Sequence, residues 1–167
     1  QSCLHDYQLF LCSSGAEANE NALKLASFHT GKKRVVAFKN AFHGRTSAAV
    51  AATDNQNINA PLNQQQEVTF IPFNDAHALE KELQKGDVCA VIFEPIQGVG
   101  GLDMPQDDFV LKMEQLCQQY ETALIADEVQ SGFGRSGKFF AYQHYNITPD
   151  IISMAQGMGK RLPVLGM

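Results

Sequence analysis

The sequence predicts an α/β fold built on a largely parallel sheet, for three reasons. Short apolar runs alternate with amphipathic helical segments along the chain, which is typical of strands joined by crossover helices. The run at 88–93 is apolar throughout, as expected of a strand covered on both faces. Acidic residues and glycines follow the strands, which places them at one edge of the sheet, where α/β proteins bind their ligands.

The pattern of apolar residues and capping signals predicts each element in turn. In chain order, the predicted strands are 8–12, 34–38, 68–73, 88–93, 123–126 and 149–154. The predicted helices are 16–29 with Gly31 as its stop, 47–52, one that Asn74 or Asp75 caps and that ends near Lys85, and one whose apolar stripe runs from Phe109 to Tyr120.

Length and composition limit the classes of protein to which the chain can belong. A chain of 167 residues with 44% apolar and 19% charged residues is globular, and one domain is the default expectation. The net charge of -5 argues against a nucleic-acid surface, which needs clustered cations, and we interpret Lys32, Lys33 and Arg34 as a solvated helix end. No apolar run is long enough to span a membrane and the start has no signal-peptide pattern, so we expect a cytoplasmic protein.

Cysteine and histidine placement gives no sign of a metal site or a disulfide framework. Cys3, Cys12, Cys89 and Cys117 lie far apart with no C-x-x-C pair, and the five histidines are scattered. We therefore expect reduced core cysteines and no bound metal. The chain opens without Met and stops within an apolar stretch at 164–167, from which we expect a fragment of a longer protein.

Four features of the predicted edge are candidates for chemistry, and each has a structural alternative. Ser14 and Glu17 have the spacing of a capping box, which would leave the first N–H groups of the next helix free for an anion, or simply cap it. Asp127 ends an apolar strand and is the first candidate for a chemical role, although it and the adjacent Glu128 could merely cap a turn. Glu94 ends another strand in the same way.

The loop at 40–46 is the fourth feature, because it combines an aromatic residue, a histidine, a glycine and an arginine. Phe42 suits either a stacking platform or the core, and Arg45 suits either an anion clamp or the surface.

The segment 132–138 matches two nucleotide-binding patterns, and neither fits its context. G-x-G-x-x-G is not followed by a long amphipathic helix or by an acid about twenty residues on. In G-x-x-x-x-G-K, the hydroxyl residue after the lysine is replaced by Phe139. A nucleotide-binding domain is therefore the weakest of the alternatives.

Four separated motifs together resemble one family. They are Ser13-Ser14-Gly15-Ala16-Glu17-Ala18-Asn19-Glu20, Phe42-His43-Gly44-Arg45-Thr46, Glu94-Pro95-Ile96-Gln97-Gly98 and Asp127-Glu128-Val129-Gln130. In order and spacing they are similar to the class III aminotransferases, which use pyridoxal 5′-phosphate (PLP), and most of all to the acetylornithine and ornithine aminotransferases. The resemblance runs from about Leu9 to the end of the chain.

The resemblance implies that 1–167 form a single partial domain, a fragment of the large domain of a fold-type I PLP-dependent transferase, without the family's N-terminal segment and C-terminal small domain. It implies transamination between an ornithine-like amino donor, acetylornithine or ornithine, and 2-oxoglutarate, in arginine and ornithine metabolism. The implied partners are small amino acid and 2-oxo acid substrates and a second copy of the chain in a homodimer.

By this resemblance, the cofactor phosphate binds the N–H groups of Gly15 and Ala16, next to Ser14. Phe42 stacks on one face of the pyridine ring and Val129 packs against the other.

The remaining roles implied by the resemblance concern the ring nitrogen and the substrate. Asp127 pairs with the ring nitrogen and keeps it protonated, Gln130 hydrogen-bonds the phenolic oxygen, and His43 belongs to the cofactor-binding set. Arg45 grips a substrate carboxylate, and Glu94 lines the substrate side.

The sequence departs from the family pattern at two important places. Val99 replaces an acid of E-P-I-Q-G-E-G-G, which leaves the amino donor open. Gln156 stands where the family has its Schiff-base lysine, and a carboxamide nitrogen can neither make that bond nor move a proton on Cα. Lys160 is the nearest amine, but the family has a small residue or Asn at its position. The substitution indicates a cofactor-binding but inactive relative, a deliberate change, or an error in the sequence at 156–167.

Overall fold

The structure, a computed structural model, describes residues 7–158, and in that range five parallel strands form one sheet in the order β2-β1-β3-β4-β5. The strands are β1 (Arg34–Phe38), β2 (Val68–Ile71), β3 (Val88–Phe93), β4 (Ala123–Asp127) and β5 (Ile151–Ser153). The α-helices are α1 (Gly15–Thr30), α2 (Ser47–Ala51), α3 (Ala76–Leu83) and α4 (Asp107–Gln119). The predicted α/β fold with a parallel sheet is confirmed.

The sheet is covered on both faces, and alternate residues of each strand enter different cores. On one face, Ala123 and Ile125 of β4 pack with Ala22 and Ala26 of α1. The opposite core joins the sheet to α3 and α4 and contains Leu79, Leu83, Val110, Met113, Leu116, Leu124 and Ala126. This alternation sends the side chain of Asp127, two residues after Ile125, to the α1 face.

Helix α1 begins and ends where its capping residues predict. The Ser14 hydroxyl accepts the N–H of Glu17 at 3.2 Å, and Gly31 ends the helix in the left-handed conformation with a φ of 68°. The inward face repeats at three- and four-residue spacing as Asn19, Ala22, Leu23 and Ala26, all of them buried. One position of this otherwise apolar stripe is therefore a polar amide.

The predictions about the elements are corrected in three respects. No strand forms at 8–12 within the described part of the chain, where Cys12 takes part in a single β-bridge and Leu9, Phe10 and Leu11 are exposed. The predicted strands at 68–73 and 149–154 shorten to β2 and β5.

The third correction concerns Arg34, which is not a solvated helix end. It is 8% exposed at the start of β1, and its guanidinium lies 2.7 Å from Glu82 and 2.7 Å from Asp87. Lys33 next to it is exposed, as expected.

Several interpretations lie outside residues 7–158, namely those of Cys3, of Lys160 and of the altered pattern at 159–166. Among the described helices, none has the length and apolar character needed to cross a membrane. Within the same range, no group of three or more His, Cys, Asp or Glu residues could hold a metal ion.

Candidate active site

The N-terminus of α1 meets the loops that follow β1 and β4 at the carboxyl edge of the sheet. A Cβ atom added to Gly15 would lie 2.6 Å from Cγ1 of Val129, and one added to Gly44 would lie 2.7 Å from Cβ of Ala16. Both distances are shorter than side-chain contacts in proteins allow. The two glycines thus let the three segments approach closely, and the predicted site residues on them are neighbours in space.

Asp127 lies at the centre of this edge, 4% exposed, with both carboxylate oxygens hydrogen-bonded. Its Oδ2 accepts the Asn19 side-chain amide at 2.7 Å and Nδ1 of His43 at 2.8 Å. Its Oδ1 accepts the N–H of Val129 at 3.0 Å. A carboxylate oxygen has two lone pairs, so Oδ1 keeps one acceptor position that these bonds do not use. A buried carboxylate held by donors alone is an acceptor well suited to a protonated nitrogen.

His43 lies behind Asp127 and supports it. The ring is fully buried, and because its Nδ1 faces a carboxylate oxygen, that nitrogen carries the proton. Within residues 7–158, its Nε2 has no hydrogen-bond partner. The N–H of His43 donates to Thr53 at 2.9 Å, which fixes the backbone as well.

Glu94 is a second buried carboxyl, at the end of β3 and 2% exposed. Its two oxygens accept the N–H groups of Phe42 at 2.9 Å and Gly98 at 3.2 Å. Burial raises the pKa of Glu94 to about 7, an effect that the electrostatic interaction with His43 opposes and that with Asp127 increases. Through its hydrogen bonds with Phe42 and Gly98, Glu94 links the loop after β1 to the loop after β3.

The first turn of α1 offers free donors. The N–H groups of Gly15 and Ala16 have no acceptor within the described residues, as expected at the first positions of a helix. Glu17 closes the cap from the other side by accepting the N–H of Ser13 at 2.7 Å, one residue earlier than a standard capping box. This pair of N–H groups can bind an anion.

The other predicted site residues line the same edge with different exposure. Phe42, Val129 and Gln130 are half-buried, and the Gln130 side chain packs against Gly98, where an added Cβ would lie 2.3 Å from Oε1 of Gln130. Arg45 is exposed, and its guanidinium forms no salt bridge within residues 7–158. It is therefore free to pair with an anionic ligand.

Glu128 has a structural task, which agrees with the alternative given for it above. It is fully buried and accepts the Ser131 hydroxyl at 2.6 Å and the N–H of Tyr142 at 2.7 Å. These bonds anchor the segment 131–140, which consists of turns and leads into the short 3-10 helix Ala141–His144. The segment thus lacks the long helix that both nucleotide-binding patterns require.

The sequence analysis assigned no role to two buried residues, Asn19 and Ser153, that support the site. Asn19 bonds Asp127 directly, and the hydroxyl of Ser153 donates to Asn19. The signal for Asn19 was its place in the apolar stripe of α1, because a buried amide must find partners. Ser153 gave no comparable signal.

Comparison with known proteins decides the family. The model of "Aminotransferase class-III" matches residues 2–167. The chain belongs to this family of class III aminotransferases. Among curated relatives, it is 41% identical to the acetylornithine aminotransferase of Bacillus subtilis over 157 residues, and 44% identical to that of Halalkalibacterium halodurans over 161. These matches cover 93% and 95% of this chain.

Solved transaminase structures share the fold. An S-selective transaminase from Arthrobacter sp. superposes with a TM-score of 0.84 at 29% identity, over 93% of this chain and 41% of that one. The ornithine aminotransferase of Toxoplasma gondii gives a TM-score of 0.83 at 29% identity, over 93% and 39%. The chain spans 41% of the length of the two curated relatives.

Class III aminotransferases are PLP-dependent, and most of the edge fits this cofactor. The free N–H groups of Gly15 and Ala16 suit a phosphate, and Asp127 keeps an unused acceptor position for a protonated ring nitrogen. A side chain at position 15 would fill the space between α1 and Val129.

Position 156 does not fit the covalent attachment of PLP. The side chain of Gln156 is exposed, and its Oε1 accepts Nη1 of Arg135 at 3.3 Å. The same Nη1 donates to the carbonyl oxygen of Gln130 at 2.7 Å. A carboxamide held by a guanidinium offers no nucleophilic nitrogen at this place.

Proposed function

We propose that this chain forms the PLP-binding part of the large domain of an aminotransferase. In the complete protein, this enzyme would move an amino group between an ornithine-like donor, acetylornithine or ornithine, and 2-oxoglutarate. The observation that carries the proposal is the buried Asp127 carboxylate, which accepts hydrogen bonds from Asn19, His43 and the N–H of Val129. Val129 in turn lies against Gly15 in the first turn of α1, where the N–H groups are free within the described residues. The acetylornithine aminotransferase relatives support the choice of donor.

The residues of this chain divide the work of binding the cofactor. Bound PLP would supply a protonated pyridine ring that accepts electrons from the substrate. Asp127 would hold the proton at the ring nitrogen, and the N–H groups of Gly15 and Ala16, beside Ser14, would take the phosphate. Phe42 and Val129 would flank the ring, as their half-buried positions at the edge allow.

Gln130 and His43 have secondary parts in this proposal. The half-buried Gln130 amide would hydrogen-bond the phenolic oxygen of the cofactor. His43 would act on the ring nitrogen only through Asp127, since its Nδ1–H donates a hydrogen bond to Oδ2 of that carboxylate.

Two residues would meet the substrate. Arg45 has an exposed guanidinium that forms no salt bridge with the residues at 7–158, and it can bind a carboxylate with two parallel hydrogen bonds. Glu94 would form the wall on the substrate side, and it already fixes the backbone of Phe42. Val99 is 62% exposed and carries no charge, so the amino donor would be selected without the acid that the family pattern has there. A homodimer would complete the site from its partner subunit.

Gln156 favours a second candidate function, a protein that binds PLP without turnover. Covalent attachment and proton transfer at the substrate both need an amine, and position 156 has a carboxamide. In this alternative the same edge would hold PLP by its phosphate and ring contacts alone.

Borohydride labelling separates the two candidates. The full chain is incubated with PLP and reduced, and any pyridoxyl-lysine is located by mass spectrometry. The same is done for Gln156→Lys and for the control Gln118→Lys, at an exposed position of α4. We expect non-covalent PLP binding without a label in the unaltered chain, and a label at position 156 only in Gln156→Lys. A label on Lys160 of the unaltered chain would instead show that this lysine replaces the missing amine.

Failure of both the unaltered chain and Gln156→Lys to bind PLP would reject the proposed cofactor site. Activity of the complete Gln156→Lys protein with acetylornithine and 2-oxoglutarate, together with inactivity of the unaltered one, would support the enzyme with a substituted lysine. Inactivity of both, with PLP bound, would support the binding protein.

A further inference from the structure

We propose that Asn19 and Ser153 are positioning residues that orient Asp127 and select the protonated nitrogen of His43. This inference rests on the proposed function, because it concerns the residues proposed to bind the pyridine nitrogen. Neither residue is proposed to touch cofactor or substrate.

The fold brings these residues together from three different elements. Strands β4 and β5 are parallel, and their register places Asp127 directly beside Ser153. Side chains of neighbouring strands in register lie on the same face of the sheet, and here that face is covered by α1. Asn19 on the inward stripe of α1 lies over this pair and contacts both side chains.

The Asn19 amide uses its full set of hydrogens. One hydrogen on Nδ2 goes to Oδ2 of Asp127 at 2.7 Å, and the other goes to the carbonyl oxygen of His43 at 2.7 Å. Its Oδ1 accepts the hydroxyl of Ser153. With the amide turned over, its oxygen would face two acceptors, Oδ2 of Asp127 and the carbonyl oxygen of His43, and these two groups therefore fix which way the amide points. The hydroxyl of Ser153 supplies the donor that the buried Oδ1 of Asn19 needs in this orientation.

The Asn19 amide in turn restricts the orientation of the Asp127 carboxylate. Oδ2 receives two donors, from Asn19 and from His43, and Oδ1 receives the N–H of Val129. The carboxylate cannot rotate without breaking one of these bonds, so the unused acceptor position stays on Oδ1. Asn19 also holds His43 at its backbone oxygen, while Asp127 holds its ring. The two bonds together keep Nδ1 as the donor and leave Nε2 without the proton in the neutral ring.

Burial makes this arrangement sensitive to single changes. Asn19 is 1% exposed, Ser153 is 2% exposed and Asp127 is 4% exposed. A donor removed here is not replaced by bulk water. A merely structural role for Asn19 predicts that its loss changes stability alone, while a positioning role predicts changes in the state of His43 and in affinity for PLP.

The first experiment needs no cofactor. The imidazole nitrogens of His43 are observed by ¹⁵N NMR in the full chain, in Asn19→Ala, in Ser153→Ala and in Ser153→Thr, which keeps the hydroxyl. Asn21→Ala is the matched control, because Asn21 lies on the same helix and its side-chain amide donates to the carbonyl oxygen of Glu17, away from Asp127. We expect a protonated Nδ1 with slow hydrogen exchange in the unaltered chain, Asn21→Ala and Ser153→Thr. In Asn19→Ala and Ser153→Ala, exchange at Nδ1 should be at least tenfold faster, by analogy with lost supporting groups at other sites.

The second experiment measures PLP affinity in the same set of proteins by absorbance titration. We expect roughly tenfold weaker binding in Asn19→Ala, a smaller loss in Ser153→Ala, and recovery in Ser153→Thr. Folding of each variant is checked by circular dichroism. If Asn19→Ala does not fold, the comparison of Ser153→Ala with Ser153→Thr decides the matter.

The results separate this inference from the proposed function. If folded Asn19→Ala and Ser153→Ala keep both slow exchange at Nδ1 of His43 and unchanged PLP affinity, the positioning role is overturned. If no protein in the set binds PLP, the proposed function fails, and exchange at His43 alone decides whether Asn19 and Ser153 position Asp127.

Discussion

Nδ1 of His43 lies 2.8 Å from Oδ2 of Asp127, and both side chains are buried at the carboxyl edge of the sheet. The hydrogen bond from His43 holds the buried Asp127 carboxylate in place as an acceptor for a positively charged partner, in an environment from which water is excluded. The donors around it fix its orientation and leave one acceptor position on Oδ1.

The variant Asp127→Asn tests whether this carboxylate holds the cofactor. A neutral amide cannot stabilise a protonated ring nitrogen, so PLP affinity in the full chain should fall at least roughly tenfold. The measurement is an absorbance titration at pH 7.5, with Asp108→Asn on α4, across the sheet from the site, as the control. Equal affinities of Asp127→Asn and the unaltered chain would show that the ring nitrogen binds elsewhere.

The close approach of Gly15 to Val129 gives a second prediction. Gly15→Ala places a methyl group 2.6 Å from Cγ1 of Val129, which should lower the free energy of unfolding by about 2 kcal/mol. Truncation of the neighbour in Gly15→Ala/Val129→Ala removes the collision, so the double variant should recover about 1 kcal/mol relative to additive behaviour. Urea unfolding of the unaltered chain, Gly15→Ala, Val129→Ala and the double variant measures this coupling. Strict additivity would mean that the helix start moves aside without cost.

Local patterns predicted most of the fold because most elements are defined by local signals. The run 88–93 became β3 without change, and Ser14 and Gly31 mark the ends of α1 as their types require. The prediction at 8–12 was wrong because a strand also needs a partner, and its apolar residues do not say which one. The interpretation of Arg34 as a solvated helix end was wrong for a similar reason, since its partners Glu82 and Asp87 are distant in sequence.

The site was predicted less completely than the fold. The motifs named Asp127, Gly15 and Glu94, and the parallel sheet brings all three to one edge. What the sequence did not contain is the pairing of specific atoms across elements. The bond from Ser153 to Asn19 exists only because β5 lies beside β4 in a particular register under α1.

The buried charge of Arg34 gives a third prediction, with its neighbour as the control. Arg34 donates to Glu82 and to Asp87 across the start of β1 and the end of α3, and its side chain is 9% exposed. Arg34→Met should lower the free energy of unfolding by about 2 kcal/mol, since the Glu82 carboxylate loses one charged hydrogen-bond partner and keeps Lys85 at 2.6 Å. Lys33→Met breaks the exposed pair with Glu67 and should leave the free energy of unfolding almost unchanged.

The cost of Arg34→Met should also depend on pH. The hydrogen bond from Arg34 lowers the pKa of Asp87, so the stability that this pair contributes is present above the ordinary carboxyl pKa of 3.8. This contribution to stability is lost as the pH falls through the lowered pKa of Asp87. Urea unfolding at pH 7 and at acidic pH should therefore give a smaller difference between the two proteins in acid. A difference that does not change with pH would show that packing of the guanidinium, and not its charge, accounts for the loss.

Glu94 gives the last prediction, in which stability changes with pH in the opposite direction. Its carboxyl has an ordinary pKa of 4.5, and burial raises the pKa in the folded chain to about 7. Between these values the folded protein keeps a proton that the unfolded chain has lost, so the contribution of Glu94 is full below pH 4.5 and is lost as the pH rises to 7. Over this range of pH, the free energy of unfolding falls by about 3 kcal/mol through the ionisation of Glu94.

Glu94→Gln removes this ionisation but keeps the size of the side chain. The free energy of unfolding of the unaltered chain should therefore fall relative to that of Glu94→Gln as the pH rises from 4.5 to 7. Urea unfolding at half-unit steps of pH measures the difference between the two curves. Burial also raises the pKa of Glu128, so adding Glu128→Gln should flatten the curve further. Parallel curves for the unaltered chain and Glu94→Gln would mean that Glu94 ionises in the folded protein as it does in water.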